Sequence, residues 1–355
     1  MNADLPSFLI QTAPGHYTLT FSSSGANTFS LCTYKYMWGY IAGIEAVAAR
    51  AGQNYGTGLH LPLAYYYRWM MERKGVQEQC VAQCHDIIKE HFLANPQPTT
   101  GSKGKPEWRT AERAVQAFDA YVAHYGVEDF EVLGVEEPFE VALGEFMLEN
   151  EKWERDITVT VRIRGIRDLR VKWHDQLWVL DHKTSTEWSD LAVDEGRASF
   201  QFMEYAWVER LLAQQRRETF GDLTKQMKAA EFDIPVGGVI GNYLISRAPY
   251  SEGRKPTPRD LPRDQFVREP YPYSEEQLAE WHEDAMDLAK EIFTRWQMQN
   301  WKRNRTACSH WGRCEYYRLC WETDAAYREA AAMSADYRPR TPSPFEELEN
   351  GKDRQ

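Results

Sequence analysis

Leu177-Trp178-Val179-Leu180-Asp181-His182-Lys183-Thr184-Ser185 is the stretch on which the reading of the fold turns. Four apolar residues run directly into an acid, a histidine and a lysine, the pattern of a buried strand that ends at a polar edge. Side chains alternate along a strand, so Asp181 and Lys183, two apart, project from the same face. A carboxylate and an ammonium projecting together can hold a divalent cation and stabilise an anion beside it. Phosphodiester hydrolysis by a metal-activated water requires that arrangement. An acid-x-lysine is also a common surface ion pair, so the surrounding stretches carry the decision.

Upstream, Asp156 to Trp173 alternates apolar and polar residues with period two, as half-buried strands do. A turn near His174-Asp175-Gln176 would set Asp168 beside Asp181. Two carboxylates on adjacent strands make a hard-oxygen site for Mg²⁺ or Mn²⁺, with the His182 carbonyl as a further ligand. Read by itself, Asp168 serves equally well as an ion-pair partner of Arg167 or Arg170. Phe130 to Val141 has β character and carries Glu136, which either reaches the same site or is an ordinary solvated carboxylate. Downstream, residues 194–217 read as a helix. Gln201 and Tyr205 lie four apart on one face of it, either positioning a phosphate and bracing Lys183 or packing on the sheet. Pro235 to Ser246 is a further strand. The middle of the chain therefore predicts an α/β domain with a central mixed sheet flanked by helices.

The flanks are less regular. Residues 1–27 read as an N-terminal extension in which no element is predicted, and a helix opens over Ser30 to Trp38. Gly56 and Gly58 suit a tight entry into a helix over Leu61 to Glu72. His60, at that entry, is either an imidazole ligand or a helix cap. Helices follow at 74–92 and 107–125, separated by a loop from Asn95 to Pro106. Residues 247–273 hold six prolines and read as an exposed loop. Ser274-Glu275-Glu276-Gln277 fits a capping box opening a helix over 274–301. Residues 323–355 read as a helix end and a disordered tail.

The bulk numbers fit a cored protein: 355 residues, 43% hydrophobic, with 13 Trp, 19 Tyr and 15 Phe. A net charge of −11 argues against coating of nucleic acid by the whole surface, though not against a local basic groove. No apolar run has transmembrane length and no signal-peptide pattern is present, which points to a cytoplasmic protein with no membrane partner. In that setting six cysteines suggest metal ligation rather than disulfides. Cys308, Cys314 and Cys320 form C-x5-C-x5-C, and Cys32 is the obvious fourth donor. Such a site would hold a [4Fe–4S] cluster or a structural zinc and staple the N-terminal helix to the C-terminal segment. Cys80 and Cys84, four apart, read as half-buried helix thiols. Arg303, Arg305, Arg313 and Trp311 sit in a basic, aromatic stretch. It is either a single-strand binding surface or a solvated basic face with rings packed inward.

Together these pieces resemble the RecB-like branch of the PD-(D/E)xK nuclease superfamily. The likeness is closest to its iron–sulfur members, such as CRISPR-associated RecB-like exonucleases, AddB-type nuclease domains and phage-encoded relatives. Cys32 with its aromatic and basic followers, Gly58-x-His60, Glu136, Gly165-x-x-Asp168, Asp181-His182-Lys183, Gln201-x-x-x-Tyr205 and the cysteine tail follow the family's order. The likeness covers residues 28–322 and implies a restriction-endonuclease-like core. It implies His60, Asp168 and Asp181 as ligands of Mg²⁺ or Mn²⁺, and Lys183 orienting the attacking water. Gln201 and Tyr205 would organise the site, and the four cysteines would hold the cluster. Arg167 stands where many members have a proline, and the tail spacing is wider than the usual C-x2-C. The implied activity is exonucleolytic cleavage of single-stranded DNA ends in recombination, repair or phage replication. The implied location is the bacterial cytoplasm, or the host cytoplasm for a phage-encoded chain. No G-x-x-x-x-G-K-[ST] motif is present, so unwinding would fall to a helicase or recombination partner. The alternative is a non-catalytic DNA-binding or assembly subunit on the same fold.

Overall fold

The computed structural model describes residues 6, 8–47, 51–72, 75–99, 106–149, 156–220, 234–248, 264–309, 313–322 and 324–340. Strands β1 (Leu9–Ala13) and β2 (His16–Phe21) turn at Gly15, whose φ of 81° would strain any side chain. Helices α1 (Ser23–Leu31) and α2 (Thr33–Tyr36) and strand β3 (Ile44–Ala46) follow. Next come α3 (Ala51–Glu72), α4 (Gln77–Ala94) and α5 (Ala111–Tyr125). Strands β4 (Glu131–Leu148), β5 (Ile157–Trp173) and β6 (Gln176–Ser185) precede helices α6 (Asp190–Arg197) and α7 (Phe200–Phe220). The chain continues through β7 (Val236–Ser246), β8 (Asp264–Tyr271), α8 (Glu275–Met298), α9 (Tyr317–Trp321), α10 (Ala325–Ala332) and β9 (Tyr337–Pro339). It divides into two compact units. One comprises Met1–Ala48, Pro138–Gly165 and Ala279–Gln355; the other comprises Ala49–Glu137 and Ile166–Leu278.

The second unit is an α/β layer built on a mixed sheet. β5 and β6 pair antiparallel from Leu169↔Leu180 to Trp173↔Gln176. The turn between them places His174 and Asp175 at φ 49° and 56°, as a two-residue hairpin of matching twist requires. β6 and β7 pair parallel, and α6 and α7 supply the crossover that a parallel pair needs. β7 and β8 are antiparallel. Leu59, Leu63, Ile88 and Phe118 of α3 to α5 bury against Leu169, Val171, Leu180 and Ile240 in one cluster. Each such side chain contributes about 1.5–3 kcal/mol. Phe202, Tyr205, Ala206 and Val208 of α7 are buried as well, and α7 packs on β7.

Several expectations change here. α3 begins at Ala51 rather than Leu61, so Gly56 and Gly58 lie inside the helix and not at its entry. Their role is close packing: a Cβ on Gly58 would stand 2.7 Å from Phe92 Cε2, and one on Gly56 2.9 Å from Thr184 Oγ1. Cys80 and Cys84 are fully buried against this helix layer rather than half-buried. The helix expected over 194–217 is two helices, because Ser199 Oγ accepts from the Phe202 N–H and starts a new one. Part of the expected 247–273 loop is strand β8, with Pro270 opposite Ile240. Among the described strands β8 pairs only β7, and an edge strand tolerates proline. Positions 249–263 lie outside the described residues. The capping box is in place: Gln277 N–H donates to Ser274 Oγ, and Ser274 N–H donates to Gln277 Oε1.

In the first unit β1 and β2 are antiparallel, and β2 runs parallel to the first half of β5, His16↔Thr158 to Phe21↔Ile163. This hairpin falls where the sequence predicts no element. α8 buries Trp281, Ala285, Ala289, Ile292 and Phe293 at helical spacing, and Tyr17 meets the edges of Phe293 and Trp296. α10 and β9 occupy part of the stretch read as a helix end and tail. β9 pairs β3 over a small core of Tyr316, Leu319, Cys320, Ala331 and Tyr337. Positions 341–355 lie outside the described residues.

Candidate active site

β6 is buried from Leu177 through His182 and emerges at Lys183, so its polar end opens at the rim of the core. Asp181, 2% exposed, forms an ion pair of 2.5 Å with Lys183 Nζ through Oδ2. The contact lacks hydrogen-bond geometry, and Oδ2 has no hydrogen-bond partner. Lys183 Nζ donates to Gln201 Oε1 at 2.8 Å, Gln201 Nε2 donates to the Tyr205 hydroxyl at 2.8 Å, and that hydroxyl donates to the Ile166 carbonyl at 2.7 Å. The one-face spacing of Gln201 and Tyr205 thus becomes a relay from the lysine to the backbone of β5.

The hairpin register is paired as far as Leu169↔Leu180, and Asp168 and Asp181 are the next residues along the two strands. Asp168 Oδ2 accepts from the His182 N–H at 2.7 Å and lies 3.5 Å from His60 Nδ1. Burial, and then the neighbouring Asp181 charge, push its carboxyl up to about 6; His60, the His182 N–H and Lys183 act the other way. Arg167 and Arg170 are engaged elsewhere. Arg167 pairs with the fully buried Glu209, and Arg170 lies 3.3 Å from Glu209 and 3.2 Å from Glu137. Glu136 sits in β4 at φ 52°, a conformation costly for a non-glycine residue and frequent at functional sites. Burial first, and then Asp168, push its carboxyl up to about 7, while Arg68 opposes the shift.

The His182 side chain leaves β6 on the face opposite Asp181 and Lys183, where its ring meets that of His60 edge-on at 5.7 Å. Its ring stacks on Tyr67 at 5.7 Å, and Asn242 Nδ2 donates to Nδ1 at 2.6 Å. Burial holds the imidazole well below its usual range, so it is neutral. Asn242 in turn donates to the Tyr121 hydroxyl and accepts from Arg268, which also donates to Glu128. Spacing did not reveal this buried network, because its members come from α3, α5, β6, β7 and β8.

A cavity of about 700 Å³ opens on the cluster, lined by His60, Glu136, Asp168 and Thr184 and by Tyr65 and Arg68. Sequence reasoning missed Tyr65 and Arg68, although their spacing from Leu61, four and then three residues, was a legible signal. Among the described residues no group of three His, Cys, Asp or Glu side chains stands arranged to hold a metal ion. The donor chemistry nonetheless suits a hard divalent cation: a buried Asp181 oxygen without a hydrogen bond lies beside a second carboxyl whose ionisation it resists.

The remaining predicted residues lie in the first unit. Cys32, Cys308, Cys314 and Cys320 are all free thiols. Asn304 N–H donates to Cys32 Sγ, and Cys308 lies near the Asn304 carbonyl. Burial pushes the Cys320 thiol up to about 12, with Cys314 and Cys32 adding to the effect; Cys314 is raised by burial, with Cys308 among the lesser contributors. Arg303 stacks on Tyr34 at 4.6 Å, Arg305 lies 5.7 Å from Trp321, and Arg313 lies 4.7 Å from Tyr317. Each of these three guanidiniums therefore lies near a ring of the chain itself. Trp311 lies outside the described residues.

A mixed sheet flanked by helices, with an acid-x-lysine at the end of a central strand, is consistent with a restriction-endonuclease-like core. The chain belongs to the PD-(D/E)XK nuclease superfamily, whose sequence profile matches residues 20–321. No curated protein matches it. Among solved structures it is similar to the crystal structure of SSO0001, at 13% identity over 68% of this chain and 80% of the other, with a TM-score of 0.23. Among the described residues no helix is long and apolar enough to cross a membrane.

Proposed function

We propose that this member of the nuclease superfamily is a metal-dependent exonuclease acting on single-stranded DNA ends. The observation that carries the reading is the convergence of Asp168, Asp181 and Lys183 at one strand end, with His60 3.5 Å from Asp168. Asp168, Asp181 and His60 would hold Mg²⁺ or Mn²⁺, with the His182 carbonyl and Glu136 as further oxygen donors. The ion, when bound, supplies the polarisation of water and phosphate on which hydrolysis depends. Lys183, held between Asp181 and Gln201, presents a fixed ammonium to the charge that builds on the phosphoryl oxygens. Gln201 and Tyr205 keep that ammonium in place. The His182 N–H orients the Asp168 carboxylate.

In this reading the four cysteines hold a [4Fe–4S] cluster or zinc that ties the N-terminal helix to the tail. Arg303, Arg305, Arg313 and Trp311 form an accessory single-strand surface. The protein works in the bacterial or phage-host cytoplasm in recombination, repair or replication, with a helicase or recombination partner opening the duplex. The test is cleavage of end-labelled single- and double-stranded DNA with Mg²⁺ or Mn²⁺ by wild type and Lys183→Ala. A product ladder from wild type alone supports the reading. Binding without cleavage by both proteins refutes it and points to a non-catalytic subunit. Metal analysis and visible absorption of anaerobically purified protein test the cysteine site. Absence of both iron and zinc would refute it.

A further inference from the structure

α3 borders the cavity with a single stripe of side chains from Gln53 to Arg68, spaced three or four residues apart as one helix face must be. At about 1.5 Å per residue that stripe is roughly 22 Å long. Beyond His60 it carries Leu61 and Tyr65, large apolar side chains left 45% and 38% exposed, and then Arg68, also exposed. Single exposed apolar residues are ordinary, but two aligned along one cavity, with an arginine one turn beyond, are not explained by that. Glu136 and Asp168 make the opposite lining acidic. In a chain of net charge −11 that wall repels a phosphodiester unless a cation offsets its charge. Arg68 is the one Lys or Arg among the described residues that line the cavity.

We propose that this stripe seats a single-stranded nucleic acid at the site, with the Tyr65 ring stacking on a base and the Arg68 guanidinium contacting the adjoining phosphate. The inference rests on reading the cavity as a nuclease site and assigns its substrate-positioning residues. A tyrosine ring anchored on a helix can stack only on a base already out of its duplex partner's stack. The stripe therefore selects single strands without reading sequence. Arg68 supplies the sequence-independent phosphate contact.

The test is equilibrium binding, read by fluorescence anisotropy with Ca²⁺ present, of a labelled oligothymidylate and a labelled hairpin duplex. The proteins are wild type, Tyr65→Ala, Tyr65→Phe and Arg68→Gln. Tyr65→Ala is expected to weaken oligothymidylate binding roughly tenfold and duplex binding less than about twofold, with Tyr65→Phe restoring it. Arg68→Gln is expected to weaken both and to flatten the single-strand salt dependence by about 0.7 in log–log slope. Unchanged binding by Tyr65→Ala, an equal loss on both substrates, or an unchanged slope in Arg68→Gln overturns the proposal. Cleavage with Mg²⁺ is a separate readout: the expected binding pattern in a protein that cuts nothing refutes the nuclease reading and leaves the stripe standing.

Discussion

Tyr205→Phe removes one oxygen and tests the relay behind Lys183. That hydroxyl is the midpoint of the relay, accepting from Gln201 Nε2 and donating to the Ile166 carbonyl, and the residue is 3% exposed. Its loss deletes two hydrogen bonds worth about 1 kcal/mol each. Gln201 is only half-buried, so water can take up part of its share. The expected cost is therefore about 1–2 kcal/mol, and at about 2 °C per kcal/mol for a chain of this size the melting temperature falls by about 2–4 °C. Catalysis should fall less than on removal of the ammonium. Lys183 keeps its 2.5 Å ion pair with Asp181 and loses only the fixed position of Gln201. A drop on the order of tenfold in kcat is expected, against about 10²–10³ for Lys183→Ala, the scale for deleting a fixed group that stabilises transition-state charge. The assay pairs thermal melting with kcat and KM on an end-labelled single strand. Two results would refute the relay. One is a variant as inactive as Lys183→Ala with an unchanged melting temperature, which would put the phenol itself at the substrate. The other is a variant indistinguishable from wild type in both readouts.

Three further outcomes are expected. In metal-free protein Asp168 and Glu136, raised to about 6 and about 7, bind more protons folded than unfolded between about pH 4 and 7. Their contribution to stability is therefore present at low pH and lost as pH rises, so melting temperature should climb from pH 7.5 to pH 5.5. Mg²⁺ competes with those protons and should stabilise more at pH 7.5; a metal shift independent of pH would argue against these carboxyls as its ligands. Arg167→Met removes the guanidinium paired with the fully buried Glu209, leaving Arg170 at 3.3 Å and the charge of Arg216, and urea denaturation should register a loss of about 3 kcal/mol. Gly58→Ala drives a methyl to within 2.7 Å of the Phe92 ring and should cost about 1–3 kcal/mol, with a matching fall in urea midpoint.

What the sequence made legible was short in range. The run Leu177 to Lys183 reads as a strand because period and burial agree over a few residues. Asp168 follows because a two-residue turn leaves an antiparallel hairpin little freedom of register. Gln201 and Tyr205 share a face because a helix has a fixed pitch. Illegible features failed for equally physical reasons. β8 was hidden because Pro270 and charged neighbours look like a loop, whereas an edge strand accepts both. The glycines of α3 looked like a turn because conformational freedom and the absence of a side chain read identically in a sequence. Only the position of Phe92, contributed by α4, shows that the second property is the one used.

The two faces of β6 show where local reading ends. Asp181 and Lys183 go one way, into a cluster whose partners the motif order anticipates. His182, between them, goes the other way, into a buried network of Asn242, Tyr121, Tyr67, Glu128 and Arg268. Those partners are separated from one another by up to 201 residues, so no window of sequence contains them. Yet this buried side chain is tied to the same peptide whose N–H holds Asp168. A buried polar network fixes geometry more tightly than apolar packing, which tolerates sliding. The hidden face of the strand thereby holds the peptide that orients the carboxylate on the open face.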